Sequence, residues 1–172
     1  GPIVIRQNRF SDIGVTDGTG TAVRIVRASD SITISDNIME RMTKNAINLY
    51  SNRLAEESAV LRITGNEIID WDSDRDNAIG GRAIRIDFVG AAASATAFIT
   101  ENKLTPPTYS SEQTPVDPEY VKLTAVGIAV DLTGNYWGSA APDFATILLV
   151  EGTAGYAPAS YYTDEAMTTT AP

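Results

Sequence analysis

The chain of 172 residues contains neither cysteine nor histidine. The missing thiols exclude disulfides, cysteine nucleophiles and iron–sulfur clusters, and the missing imidazoles exclude a Ser-His-Asp triad and a histidine general base. Zinc sites built from these two residue types are excluded as well. Any chemistry must therefore rely on carboxylates, on Lys, Arg or Tyr side chains, or on a cation bound by oxygen ligands.

Positive charge is also scarce. The chain has 13 Lys and Arg residues against 22 Asp and Glu residues, so its formal net charge is -9. Nucleic acids and anionic membrane surfaces favour the opposite balance, and we expect neither as a partner. No apolar run approaches the roughly 20 residues of a membrane span, so we expect no direct membrane insertion. Hydrophobic residues make up 43% of the chain, which is typical of a folded protein.

One six-residue pattern occurs five times: an aliphatic residue, two polar or small residues, Asn, any residue, and a large apolar residue. Its asparagines are Asn8, Asn37, Asn66, Asn102 and Asn135, at steps of 29, 29, 36 and 33 residues. Periods of this length are typical of solenoids. We expect the asparagines to stack in neighbouring strands, about 4.8 Å apart, with each amide donating to the next. We also expect each Asn to adopt the left-handed backbone of a turn.

An apolar–polar–apolar triplet precedes the second to fifth copies of this pattern. Its polar members are Arg24, Asn48, Arg85 and Lys122. Alternation predicts strands, with these polar residues outward on one sheet, and with Tyr50 and Asp87 two residues further on. Such a stripe suits a linear anionic polymer, for example a uronic-acid polysaccharide. An ordinary solvated face is the alternative.

Residues 38–61 admit a second interpretation. Their apolar residues follow an i, i+4 stripe that, taken alone, predicts a helix. The register of Ile47-Asn48-Leu49 with the other triplets favours strands instead. We therefore predict strands here, with one helical turn at residues 54–58 inside a loop.

Alternate carboxylates mark a further candidate site. They are Asp70, Asp72, Asp74 and Asp76. The spacing resembles the start of a calcium loop, but Asn77 stands at the glycine position of an EF-hand and Ala83 at its bidentate Glu. An irregular calcium loop and a solvated acidic turn both stay open, so the expected cofactor is calcium or none. Trp71 in this stretch either stacks on a sugar ring or packs against the wall of the fold.

Short strands, an Asn turn and coils of about thirty residues resemble the right-handed parallel β-helix, the fold of pectate lyases, polygalacturonases and many bacterial surface proteins. Residues 132–139, Leu-Thr-Gly-Asn-Tyr-Trp-Gly-Ser, resemble the terminal coil of secreted members, and residues 157–164 resemble the closing segment of cell-surface members. The resemblance implies an all-β right-handed parallel β-helix, or solenoid. It would have about four to five coils over residues 1–137, a C-terminal cap over 138–165, and a linker or tail over 166–172. The expected lid residues of the cap are Trp137, Phe144, Ile147, Leu148 and Leu149.

The same resemblance implies a structural or adhesive module of a secreted or cell-surface bacterial protein. A polysaccharide or cell-surface glycan would be its partner, and further coils or domains would belong to the parent protein. A polysaccharide lyase or glycoside hydrolase is the alternative. Such enzymes need clustered carboxylates, for which Asp87 and Asp70 are the catalytic candidates. The chain has no Asn-Thr-Asp or Gly-Asp-Asp block and no recognisable lyase Arg motif, so we expect the non-enzymatic role.

Overall fold

The computed structural model describes residues 1–14, 20–54, 59–72, 80–91, 96–108, 119–125, 128–151, 155–157 and 160–171. The strands are β1 (Ile3–Arg6), β2 (Arg9–Ile13), β3 (Val23–Val26), β4 (Ile32–Ser35), β5 (Ile38–Met42), β6 (Ile47–Leu54), β7 (Val60–Thr64), β8 (Glu67–Trp71), β9 (Ile84–Ala91), β10 (Thr96–Thr100), β11 (Lys103–Thr105), β12 (Val121–Ala125), β13 (Ala129–Asp131), β14 (Leu148–Glu151), β15 (Gly155–Ala157), β16 (Tyr161–Tyr162) and β17 (Thr170–Ala171). Within the described ranges the one α-helix is α1 (Phe144–Ile147). The predicted all-β class is confirmed. No helix in these ranges has the length and apolar character needed to cross a bilayer.

Three parallel sheets contain nearly all the strands, and the chain visits them in turn. Sheet A has the order β1-β4-β7-β10-β13-β15, sheet B has β2-β5-β8-β11, and sheet C has β3-β6-β9-β12-β14. Isolated bridges continue sheet B from Lys103 to Tyr136 and from Tyr136 to Tyr162. We call one visit to each sheet a circuit. Each circuit therefore lies directly against the preceding one.

Alternating side chains explain why these segments form strands around one core. In β4, Ile32 and Ile34 are fully buried, whereas the alternate residues Thr33 and Ser35 are partly exposed. The strand register places Ile34 beside Ile63, and Ile63 beside Ile99. Burying each such side chain contributes about 1.5–3 kcal/mol. A slip of one residue would place Thr and Ser side chains in the core, so the apolar columns fix the register.

The asparagines form a continuous ladder, as the repeat predicts. The Nδ2 atoms of Asn8, Asn37, Asn66 and Asn102 each donate to Oδ1 of the next asparagine, over 3.0–3.1 Å. The backbone N–H groups of the same four residues donate to the same Oδ1 atoms. Four of the five asparagines are at most 1% exposed, and Asn8 at the end of the ladder is exposed.

The expectation that the asparagines adopt the left-handed backbone conformation is wrong. None of the five has a positive φ; that conformation belongs to the residue just before each asparagine. These residues are Gln7, Asp36, Gly65, Glu101 and Gly134, with φ between 56° and 67°. The turn is therefore made one position earlier. Asn is required because its amide supplies the acceptor and the donors that stack the circuits.

The described part of residues 38–61 forms β5, β6 and the start of β7 rather than a helix, and the structure explains the helical appearance of the sequence. Met39 and Met42 in β5 both face the core although they are three residues apart. Arg41 between them has φ 57°, which shifts the alternation by one residue. Asp12 in β2 and Asp70 in β8 have the same conformation at the equivalent position. Of the expected helical turn, Leu54 belongs to β6 and residues 55–58 lie outside the described residues.

Residues 138–165 continue the stack beyond the predicted coils. β14 adds to sheet C beside β12, β15 adds to sheet A beside β13, and Tyr162 bridges to Tyr136 in sheet B. Trp137 is buried at 1% exposure and meets Phe144 edge-on at 5.8 Å between ring centroids. Among the expected lid residues, Ile147 and Leu148 are also buried, and Leu149 is partly exposed. In the segment assigned to a tail, β17 pairs antiparallel with β16.

Candidate functional site

The polar triplet residues lie side by side on sheet C, and we call them the sheet C column. Arg24 is in register with Asn48, Asn48 with Arg85, and Arg85 with Lys122. Neighbouring strands in a sheet are about 4.8 Å apart. Arg24 is exposed, and the other three residues are partly exposed. This is the strand register that the repeat predicts, and it places three cations along one line.

The cations of sheet B, by contrast, are neutralised by neighbouring carboxylates. The Arg41 guanidinium donates to both carboxylate oxygens of Asp12, over 2.6 and 2.7 Å. Lys103 Nζ lies 3.0 Å from carboxylate oxygens of both Glu165 and Glu67, and these hydrogen bonds raise the pKa of Lys103. Sheet B therefore presents paired charges to solvent.

No carboxylate in the described part of the chain forms such a pair with the sheet C column. Arg24, Arg85 and Lys122 each lack a salt bridge within 4.0 Å among these residues. Arg85 and Lys122 occupy adjacent strands, so their like charges repel each other. A negatively charged ligand on this face would relieve that repulsion.

The column borders an open cleft of about 320 Å³, which we call the Lys44 cleft. Four predicted binding residues line it: Arg24, Asn48, Tyr50 and Arg85. Thr21, Lys44 and Asn45 also line it, and the sequence did not single them out. Among the described residues, the lining of the cleft contains three cationic side chains and no carboxylate, in a protein whose net charge is -9.

Backbone hydrogen bonds at the corner between sheets B and C hold Lys44 and Asn45 in place. The Lys44 N–H donates to the Gly20 carbonyl over 3.0 Å, and the Asp72 N–H donates to the Lys44 carbonyl over 3.1 Å. Gly81 packs so closely that an added Cβ would lie 1.9 Å from the Lys44 carbonyl oxygen. The backbone of this corner is therefore fixed independently of the Lys44 side chain.

Two amides of the cleft have unsatisfied atoms. Asn45 is 1% exposed, and its Oδ1 accepts the Arg82 N–H over 3.1 Å. That bond orients the amide, yet Asn45 Nδ2 has no partner within the described residues, and neither does Asn48 Oδ1. Leaving a buried polar group unsatisfied costs about 1–3 kcal/mol. Such groups in a native fold call for an explanation, and a bound ligand is one.

One exposed aromatic residue, Tyr50, belongs to the lining of the cleft, and we call its ring the rim. Tyr50 is 43% exposed, and its neighbour in register, Val26, is 46% exposed. An exposed aromatic ring offers apolar surface together with a hydroxyl group. The cleft therefore combines a cationic interior with a rim against which the C–H face of a sugar can pack.

Trp71, the other aromatic candidate, belongs to the core. It is 2% exposed and meets Tyr120 edge-on at 5.1 Å between ring centroids. Burial raises the pKa of the Tyr120 hydroxyl. The expectation that Trp71 stacks on a sugar is therefore wrong, and its alternative, packing against the wall of the fold, is correct.

The two catalytic candidates lie on different sheets. Asp70 is in β8 of sheet B, whereas Asp87 is in β9 of sheet C. Asp87 neighbours Thr124, whose hydroxyl lies 3.3 Å from a Glu151 carboxylate oxygen. The structure therefore does not bring Asp70 and Asp87 to one face as an acid–base pair.

The calcium hypothesis falls largely on residues that the structure leaves undescribed. Asp74 and Asp76 lie outside the described residues; Asp70 is partly exposed and Asp72 is 3% exposed. Among the described residues, no group of three or more acidic side chains is arranged to hold a metal ion. Calcium binding by Asp70, Asp72, Asp74 and Asp76 stays a prediction.

A longer version of the triplet pattern would have found the residues that sequence reasoning missed. Thr21 and Asn45 both stand just before the alanine that precedes a triplet. Lys44 comes one position earlier, where the neighbouring circuits have Gly20 and Gly81. Among Gly20, Lys44 and Gly81, Lys44 alone has a long side chain, and that contrast is the sequence signal that marks the cleft.

Comparison with protein-family models, with curated proteins and with solved structures finds no match to this chain.

Proposed function

We propose that the chain is a right-handed parallel β-helix module with a structural or adhesive role in a secreted or cell-surface bacterial protein. We further propose that its sheet C binds an acidic polysaccharide. Three parallel sheets visited in rotation support the fold assignment. Crossover connections between parallel strands are right-handed in nearly all proteins, which supports the hand. The resemblance of residues 132–139 and 157–164 to closing segments of secreted and surface proteins supports the location.

A structural role follows from the way the circuits stack. The strands of each circuit pair with those of the adjacent circuits, as in other repeat proteins, and the asparagine ladder joins the circuits along the stack. Six strands of sheet A at the usual strand spacing span about 24 Å. A fold of this kind presents the same position of successive repeats along one line, which suits a linear partner.

The unpaired sheet C column is the observation that carries the binding proposal. A linear polyanion that crosses the strands meets Arg24, Arg85 and Lys122 in succession. Each contact is at least partly exposed and contributes only about 0.2–1 kcal/mol. Affinity therefore comes from several simultaneous contacts and falls with salt, since the Debye length is about 8 Å at physiological ionic strength.

A glycan-binding panel tests the proposal. Polygalacturonate, alginate and chondroitin sulfate should bind at low ionic strength and release at high salt, whereas neutral dextran should not bind. The Arg85→Ala, Lys122→Ala double variant should lose binding without a change in melting temperature. The Arg6→Ala, Arg62→Ala variant removes the same charge from sheet A and should bind normally.

Three outcomes contradict the proposal. Equal binding of dextran would show that the charge of the polymer is irrelevant. Normal binding by the Arg85, Lys122 variant would leave the column as a solvated face. An increase in reducing ends or in unsaturated products would favour the lyase or hydrolase alternative, in which case Asp87→Asn should abolish that activity.

A further inference from the structure

We infer that the Lys44 cleft is a discrete site for the carboxylate of one sugar acid, with Lys44 and Asn45 as its specificity-determining residues. This inference rests on the proposed binding of acidic polysaccharide by sheet C. The sheet C column by itself recognises only negative charge. The Lys44 cleft would add a site that recognises one sugar acid unit of the polymer.

The charge of the cleft selects an anion. Arg24, Lys44 and Arg85 line one concave volume of about 320 Å³, and no carboxylate belongs to the part of its lining that the structure describes. Concave sites strengthen electrostatic attraction because they exclude part of the solvent. Lys122 belongs to the same column but does not line the cleft, so the cleft and the column are separable by mutation.

Asn45 adds a neutral donor that a solvated basic face would not need. Its Oδ1 is held by the Arg82 N–H at 3.1 Å, so Nδ2 is fixed as the donor that lacks a partner. The atom is buried, and Asn45 belongs to the lining of the cleft. A carboxylate that reaches this atom gains a hydrogen bond that the described residues do not supply.

The remaining groups favour a hydroxylated ligand over a bare anion. The Asn48 amide also has an unsatisfied atom, and in either orientation an amide can pair with a hydroxyl, which both donates and accepts. Tyr50 at the rim offers its exposed ring to the C–H face of a sugar. A sugar acid supplies the carboxylate, the hydroxyl groups and the apolar face in a single unit, whereas sulfate or acetate supplies only the charge.

Titration with sodium glucuronate, monitored by ¹H–¹⁵N spectra at constant ionic strength, tests the inference. Glucuronate should shift the signals of the cleft residues in a saturable way, at lower concentrations than sodium acetate or sodium sulfate. Glucose should shift them least. Sulfate that binds as tightly as glucuronate would overturn the assignment to a sugar acid, and no saturable shift with glucuronate would overturn the site itself.

Two variants assign the roles of Lys44 and Asn45. Lys44→Gln removes one charge from a side chain that the fold does not use and should weaken glucuronate binding by about three- to tenfold. Asn45→Asp keeps the acceptor for the Arg82 N–H but replaces the donor with a carboxylate oxygen, and should abolish binding. Arg6→Gln is the matched control, because Arg6 is exposed on sheet A, and its glucuronate binding should be normal. If Asn45→Asp does not fold, normal binding by Lys44→Gln is still sufficient to overturn the inference.

The polymer separates this inference from the proposed function. Lys122→Gln should weaken polygalacturonate binding but not glucuronate binding, whereas Lys44→Gln should weaken both. Binding of the polymer without any glucuronate site would overturn the inference and leave the proposed function standing. A saturable glucuronate site in a protein that does not bind the polymer would overturn the proposed function and leave the site at the Lys44 cleft standing.

Discussion

At the scale of single residues, asparagine acts in this chain through its side-chain amide. The sequence pattern predicted the stacked amides because Asn recurs where an Asp would bring stacked negative charges together. It did not predict which residue turns the backbone. Gln7, Asp36 and Glu101 carry positive φ values although none of them is glycine. A left-handed residue with a side chain costs about 1–2 kcal/mol, which the adjacent ladder bonds offset.

The inner and outer ends of the ladder should differ in stability. Asn66 is 1% exposed, donates to the Ile34 carbonyl over 2.9 Å and accepts from the Asn37 amide over 3.0 Å. Asn66→Ala should lower the free energy of unfolding by about 1–3 kcal/mol, because it leaves buried partners unsatisfied. Asn8→Ala should cost under about 1 kcal/mol, since Asn8 is exposed at the ladder's end. Denaturant melts measure the free energy of unfolding of both variants. Equal losses of stability at positions 8 and 66 would contradict the ladder.

Asn66→Asp provides a control with nearly the same shape. A buried carboxylate without a cation favours its neutral form, so its pKa rises. Its charged form then destabilises the fold, and the loss of stability should grow as the pH rises above the ordinary carboxyl value of about 4. Stability of this variant that does not depend on pH would show that position 66 is not enclosed.

At the scale of elements, alternation predicted strands correctly, but over residues 38–61 it competed with a helical pattern. The left-handed residues Asp12, Arg41 and Asp70 shift the alternation within β2, β5 and β8. Asp and Arg at these positions give no local signal comparable to a glycine, so the spacing of Met39 and Met42 imitates a helix. Aligning the repeats corrected the interpretation because strand register is a property of the whole stack.

The closing hairpin of β16 and β17 should depend on pH. Asp164 accepts hydrogen bonds from the backbone N–H groups of Thr168, at 3.1 Å, and Thr169, at 2.6 Å. The bond from Thr168 is the main cause that holds the pKa of Asp164 below its ordinary value. A lowered carboxyl pKa stabilises the hairpin at and above the ordinary value, and this contribution is lost as the pH falls through the lower value of the folded state.

Amide exchange at Thr168 and Thr169 measures this effect. Exchange at both amides should accelerate in acid below the ordinary carboxyl value, beyond the change expected for an unstructured peptide. Glu165→Gln is the control, because the Glu165 carboxylate pairs with Lys103 and, among the described residues, no hydrogen bond to Thr168 or Thr169 involves it, and it should keep the acid transition. Protection that is unchanged in strong acid would show that the Asp164 carboxylate does not hold the turn.

At the scale of the whole molecule, the distribution of charge distinguishes the sheets. The period of the repeat predicted that Arg24, Asn48, Arg85 and Lys122 would align, since equivalent positions in a stack must coincide. It did not predict that the cations of sheet B would pair with carboxylates, whereas Arg24, Arg85 and Lys122 of sheet C have no such pair among the described residues. That difference depends on which acidic residues project from neighbouring strands. The burial of Trp71 and the separation of Asp70 from Asp87 also depend on the three-dimensional path of the chain.

The most direct test of the account is to map where an acidic oligosaccharide binds. A galacturonate oligomer titrated into the ¹⁵N-labelled protein at low salt should shift the amide signals of β3, β6, β9 and β12 in sheet C. The signals of β2, β5 and β8 in sheet B, where the cations already have carboxylate partners, should stay in place. Shifts centred on sheet B, or no saturable shift on sheet C, would contradict the proposal that the unpaired column is the binding face.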